Sequence, residues 1–140
     1  FGFSTFLPPN KKLRVFCGTP SYMCPEIVAR KDYLGPAADI WASGVLLYAM
    51  LFGCFPFRGQ TDRELYHKIK RGQFSIPDHG RGTEGARLVH RVLTHADRRP
   101  SLDAVLADPW FEKTHGRFDT KSIQNHVLCL LLIFSHQIRI

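Results

Sequence analysis

Asp39–Phe52 reads D-I-W-A-S-G-V-L-L-Y-A-M-L-F. A stretch of this length makes about four helical turns. Apolar residues fall on nearly every face of it, whereas a surface helix shows one apolar stripe and one polar side. The stretch therefore predicts a central, buried helix in a helical domain. It is shorter than the roughly 20 residues of a bilayer crossing, so no membrane span is expected. Asp39 suits the helix start, where unpaired N–H groups and the helix dipole favour a carboxylate. Gly53 suits the C-terminal cap, and Pro56 stops any continuation. Asp39 has a second reading, as an anchor that holds a functional loop by hydrogen bonds. The helix pattern alone leaves both open.

The 140 residues give room for one domain with a real core, and the formal net charge is +7. The cations are scattered in small groups: Lys11, Lys12 and Arg14; Lys68, Lys70 and Arg71; Arg98 and Arg99. A nucleic-acid groove needs a continuous basic stripe with interleaved aromatics, so no nucleic-acid partner is expected. Cys17, Cys24, Cys54 and Cys129 form no C-x-x-C pair and no Cys/His cluster with zinc spacing. No metal site is expected, and reduced thiols fit the cytoplasm, with the nucleus as a second compartment. The chain opens Phe-Gly-Phe-Ser without Met or a signal sequence, which suggests a piece of something longer.

Outward from the central stretch, Gly18 and two prolines make Cys17–Glu26, C-G-T-P-S-Y-M-C-P-E, a shaped loop leading into a short helix at Pro25–Ala29. Leu13–Phe16 suits a short extended segment. Gly35-Pro36 signals a turn before the central helix. Thr61 with Glu64 is a capping box for a helix of about ten residues. Asp78–Gly85 is Gly-rich and reads as flexible. Glu84–Leu93 is amphipathic, with Leu88, Val89, Val92 and Leu93 facing in. Ser101 caps a short helix at Leu102–Leu106, and Asp108-Pro-Trp-Phe docks its exit. No strand pattern of any length precedes the tail. The tail contains an apolar run, Val127–Phe134, suited to packing on the body, to an edge strand or to aggregation.

Five motifs at matched spacing now coincide. Phe1-Gly2 resembles the end of the D-F-G motif of protein kinases. Gly18-Thr19-Pro20-Ser21-Tyr22-Met23-Cys24-Pro25-Glu26 resembles the G-T-x-x-Y-x-A-P-E close of a kinase activation segment. Asp39-Ile-Trp41-Ala-Ser-Gly44 resembles D-x-W-x-x-G at the start of the large helix of the C-terminal lobe. Arg99-Pro100-Ser101 resembles the late R-P-[ST], and Asp108-Pro-Trp-Phe the closing H-P-W-F. In order and spacing over about 110 residues, the chain resembles eukaryotic serine/threonine protein kinases of the calmodulin-dependent and AMP-activated group.

The resemblance implies a mainly α fold, the helical C-terminal lobe with the N-terminal lobe absent. It divides the chain into a partial kinase domain at 1–112, with the activation segment at 1–26 and the helical lobe at 27–112, and a tail at 113–140. Glu26 and Arg99 would form a buried ion pair. Asp39 would tie the catalytic loop to the central helix, with Trp41 and Gly44 as structural companions. Thr19 would support the phosphoacceptor hydroxyl, although a loop Thr bonding its own backbone is the plainer reading. Pro20, Ser21, Tyr22 and Met23 would shape the pocket for the next substrate residue. The partners implied are protein or peptide substrates, the N-terminal lobe and the catalytic loop. The helix after Thr61 would offer a docking surface or an ordinary solvated face.

Departures matter as much. Phosphoryl transfer needs Mg²⁺, a Lys on the phosphates, a Gly-rich cover and a catalytic-loop Asp. The chain retains only Gly2 as a weak remnant of the cofactor-binding D-F-G. ATP and Mg²⁺ would serve an intact parent; this chain alone is expected to bind neither and to be inactive. Val15 occupies the place of the activating Thr, with Phe16 next to it, so apolar packing of these two is expected to order the segment in place of a phosphate. Cys24 replaces Ala, and Asp108 replaces His. A non-catalytic, pseudokinase-like or truncated binding module is the alternative from another class, and a truncated gene product is a third.

Overall fold

Trp41 and Val45 lie wholly out of solvent at the centre of a helix that runs Gly35–Phe52 (α2). The computed structural model describes Phe6, Pro8 and residues 10–114. Its helices are α1 (Pro25–Val28), α2, α3 (Asp62–Arg71), α4 (Glu84–Val92), α5 (Leu102–Leu106) and α6 (Pro109–Thr114), with 3₁₀ turns at Pro20–Tyr22 and Asp78–Gly80. Among the described residues the one extended pairing is a two-bond bridge between Leu13 and Tyr33, at 2.8 and 2.9 Å. The mainly helical expectation holds. Gly2 and the apolar run Val127–Phe134 lie outside the described residues.

The central helix begins earlier than the sequence pattern suggests. Leu34 is its N-cap, and Pro36 sits in its first turn, where a missing N–H costs nothing. Asp39 is therefore inside the helix, one turn in, and is no cap. Gly35-Pro36 opens the helix instead of turning before it. At 18 residues with a mean hydropathy of 1.3, α2 has the length and composition of a membrane-crossing helix. Its buried residues, Ile40, Trp41, Gly44, Val45 and Tyr48, are covered by protein. Burial is not uniform around it: Met50 is 65 % exposed, so the all-round burial expected from its apolar faces is not realised.

The core gathers on two sides of α2. One cluster joins Trp41, Val45 and Tyr48 to Met23, Cys24, Ile27, Val28, Phe57, Leu65, Ile69, Val89 and Leu93. Trp41 stacks on Phe57 with ring centroids 5.5 Å apart. The second joins Ile40 to Leu88 and Val92, with Trp110 and Phe111 against them. Gly44 lets α4 approach: a Cβ there would stand 2.5 Å from a Val92 methyl.

The caps at Thr61 and Ser101 fall where the sequence puts them, and Thr83 adds a third. The hydroxyls of Thr61, Thr83 and Ser101 accept from the N–H groups of Glu64, Ala86 and Ala104. Gly53 and Gly72 end α2 and α3 with φ of 68° and 61°. The Gly-rich stretch before α4 is more constrained than its composition suggests. Gly80 is buried with the Phe52 ring in the space a side chain would need, and Thr83 donates its hydroxyl to the Gly80 carbonyl. Asp108 has a clear role in place of His. Its carboxylate pairs with Arg91 and accepts from the Trp110 N–H, which secures the start of α6.

Candidate functional site

The loop before α1 is built by local backbone rules. Gly18 sits at φ +114°, a conformation side-chain-bearing residues rarely adopt. Pro20 then starts a single 3₁₀ turn, closed by Tyr22 N–H to Thr19 C=O at 3.0 Å and Met23 N–H to Pro20 C=O at 3.3 Å. Pro20, Ser21 and Tyr22 are half-buried, and Met23 and Cys24 turn into the core. The Tyr22 ring meets Phe55 edge-on with centroids 5.5 Å apart. Thr19 precedes the turn, and its side chain makes no capping hydrogen bond.

Glu26, in the first turn of α1, meets Arg99 from the loop before α5. Nη1 donates to Oε1 at 2.9 Å and Nη2 to Oε2 at 3.0 Å. The Arg99 side chain is 1 % exposed and that of Glu26 12 %. Nη1 also donates to the Ala37 carbonyl at 2.7 Å. Nε and Nη2 both donate to the Thr94 carbonyl, at 3.2 and 3.0 Å. The guanidinium lies over the Trp41 ring, 5.1 Å from its centroid. Arg99 thus binds α1, the first turn of α2 and the end of α4 at once. Cys24 borders the same pair. Burial, and then the neighbouring carboxylate, push its thiol up to about 11.

Asp39 stands apart from this clasp. It is an exposed residue, yet the protein crowding it raises its carboxyl pKa by desolvation. No hydrogen bond to its side chain occurs among the described residues. The structure brings Glu26, Arg99, Trp41 and residues 19–23 together, and packs Gly44 on the far side of α2 against α4. The Trp41 indole N–H is buried without a partner among the described residues.

The segment leading into the loop is held in an unanticipated way. Val15 is 52 % exposed, and its carbonyl, not its side chain, accepts from the Tyr33 hydroxyl at 3.1 Å. Phe16 does pack: the Arg30 guanidinium lies 4.5 Å from its ring centroid, and its ring meets Tyr66 of α3 edge-on at 6.1 Å. Of the two apolar residues, only Phe16 makes the expected contact. Arg30 reaches it from a left-handed position, φ 55°, just after α1. A cation over a ring cannot be read from sequence spacing, which is why Arg30 and Tyr66 went unpredicted. Among the described residues no group of three or more His, Cys, Asp or Glu could hold a metal ion.

A helical lobe whose shaped loop is clamped by a Glu–Arg pair beside a central Trp-bearing helix agrees with the protein-kinase resemblance of its motifs. Residues 1–111 match the protein kinase domain, and the chain belongs to the protein kinase family. It is 36 % identical over 135 residues to a probable serine/threonine-protein kinase MARK-A of Dictyostelium discoideum, covering 93 % of this chain and 13 % of that protein. It is 41 % identical over 102 residues to CBL-interacting serine/threonine-protein kinase 5 of Arabidopsis thaliana, covering 72 % and 23 %. It is also 39 % identical over 115 residues to a putative sperm motility kinase W of Mus musculus, covering 81 % and 23 %. The chain thus spans between 13 and 23 % of the length of these relatives. Its described residues form a helix-rich lobe of the protein-kinase fold, without the N-terminal lobe.

Proposed function

We propose that this chain is the C-terminal-lobe part of a serine/threonine kinase of the calmodulin-dependent and AMP-activated group, supplying the end of the activation segment and the substrate shelf. The observation that carries this reading is the clasp of Glu26 by Arg99, which fixes the loop at 19–25 on α2. Residues 1–26 act as the activation segment, 27–112 as the helical lobe, and 113–140 as a tail. The Thr19 hydroxyl, free of any cap contact, steadies the acceptor hydroxyl of a protein substrate. Pro20, Ser21, Tyr22 and Met23 receive the residue that follows it, with Phe55 beside Tyr22. Asp39, exposed and with its carboxyl pKa raised, receives the backbone of the catalytic loop.

The intact parent transfers the γ-phosphate of ATP, with Mg²⁺, to Ser or Thr of proteins in the cytoplasm and the nucleus. ATP supplies the phosphoryl group when bound, through parts of the parent outside the described residues. This chain by itself binds neither and transfers nothing. The test is a peptide phosphorylation assay on the intact parent with Thr19→Ala. A misplaced acceptor lowers kcat by about 10²-fold. Unchanged turnover in that variant, or Mg-dependent ATP binding by the 140-residue chain alone, overturns the reading.

A further inference from the structure

Of its 18 residues α2 buries Ile40, Trp41, Gly44, Val45 and Tyr48. Asp39, Ala42, Leu46 and Met50 follow one another at spacings of three and four, so they share a different face. Past Asp39 this face is apolar, with Ala49 beside it. Ala42, Leu46 and Ala49 are half-buried, and Met50 is 65 % exposed. None of these four belongs to either core cluster. A lone apolar residue on a surface is ordinary, but a continuous apolar stripe marks a contact.

The chain itself carries an apolar segment of matching size. Val127–Phe134, V-L-C-L-L-L-I-F, has eight apolar residues in a row and no charge. Wound as a helix, such a run covers about 12 Å, which is also the rise from Ala42 to Met50. Its point of attachment is close. A Cβ on Gly85 would stand 2.9 Å from a Leu51 methyl and 3.2 Å from Trp110 Nε1, so the start of α6 meets the end of α2 at one glycine. Residues 115–126 link Thr114, the last residue of α6, to the run. Extended, they reach about 40 Å, more than the roughly 27 Å length of α2.

We propose that Val127–Phe134 docks on the Ala42–Met50 stripe of α2 and closes a face of the lobe that the described residues leave open. The inference concerns the chain's own tail and does not need the kinase reading. Burial of apolar surface drives the contact. The link holds the run near the stripe at a high effective concentration, which favours it over a second copy. A bilayer is a poorer occupant for the run, because eight residues fall far short of a crossing.

Met50 and Cys129 report on the two sides of the contact. Met23, the other methionine of the chain, is 5 % exposed and serves as an internal standard. In the 140-residue chain, hydrogen peroxide should oxidise Met50 slowly and N-ethylmaleimide should alkylate Cys129 slowly, each followed by peptide mass spectrometry. L131D/I133D puts two charges into the run and changes no residue of the described lobe; Met50 oxidation should then rise about tenfold. L46D/M50D should speed Cys129 alkylation about tenfold in turn. V15D, at an exposed apolar site elsewhere, should change neither rate. Circular dichroism checks that L46D/M50D still folds; if it does not, L131D/I133D and its Met50 readout decide alone. Equal Met50 rates in wild type and L131D/I133D overturn the proposal. Slow Cys129 alkylation in a folded L46D/M50D overturns it too, by putting the run elsewhere. So does protection that fades on about hundredfold dilution, which would put a second copy on the stripe, since a contact within one chain ignores concentration. Met50 protection that needs vesicles of phosphatidylcholine and phosphatidylserine likewise overturns it.

Discussion

Arg99 spends all five of its N–H donors on oxygen acceptors, two of them in parallel on Glu26, 73 residues earlier in the chain. A guanidinium is the one side chain with that fork of donors, so lysine is no substitute. Because Arg99 is buried and Glu26 nearly so, removing either leaves a charge largely without water or a counter-ion.

Arg99→Ala and Glu26→Ala should each destabilise the chain by about 3–5 kcal/mol, and Arg99→Lys should recover little. The double variant should cost far less than the sum, since no orphan charge remains. Urea unfolding followed by circular dichroism measures this. A loss below about 1 kcal/mol for Arg99→Ala, the worth of an exposed pair, would contradict a buried clasp.

Asp39→Asn separates the two readings of that acid. At an N-cap Asn serves about as well as Asp, so that reading expects a midpoint nearly unchanged at every pH. Asp39 is instead inside α2 with a raised carboxyl pKa. The sign follows from linkage: a raised folded pKa means the folded state binds the extra proton, so stability falls as pH rises through the window between the unfolded and folded values. Above that window Asp39→Asn should raise the urea midpoint slightly, the gain being small because the residue is exposed. At a pH below both values the gain should vanish. A midpoint unchanged at every pH would restore the capping role.

Cys24 predicts an alkaline signature. Its thiol sits at about 11 against an ordinary 9.0, through burial first and Glu26 second. The unfolded thiol therefore ionises first, and its contribution to stability, whole below 9.0, is lost as pH rises towards 11. The full loss is about 2–3 kcal/mol. Comparing wild type with Cys24→Ala at both ends of that window isolates it from Tyr33 and Tyr48, whose hydroxyls are also raised by burial. Parallel pH profiles would show that the thiol ionises as in water.

Phe16→Ala should loosen the segment before Gly18, because Arg30 and Tyr66 then lose the ring they share. Amide exchange at residues 13–17 should rise about tenfold, matching a loss near 1 kcal/mol for a cation–π contact with its packing. Val15→Ala should change it little, since that side chain is exposed and the held group is its carbonyl. The reverse order of effects would show that Val15 is the anchor.

The amino-acid order by itself determined the helix caps at Thr61 and Ser101, the inward face of α4, and the motif residues Thr19, Glu26, Asp39, Trp41 and Arg99 as one family pattern. Caps and faces are local, set by residues three or four apart, so a reader of the chain can find them. Only tertiary structure decided where α2 begins, because Gly35-Pro36 suits a turn or a first helical turn equally, and packing chooses. Only tertiary structure brought Ala37 and Thr94 carbonyls to Arg99, put Arg30 over Phe16 and paired Asp108 with Arg91. Each of these joins groups distant in sequence. Charge and aromatic contacts of that kind depend on distance in space, which no spacing along the chain encodes.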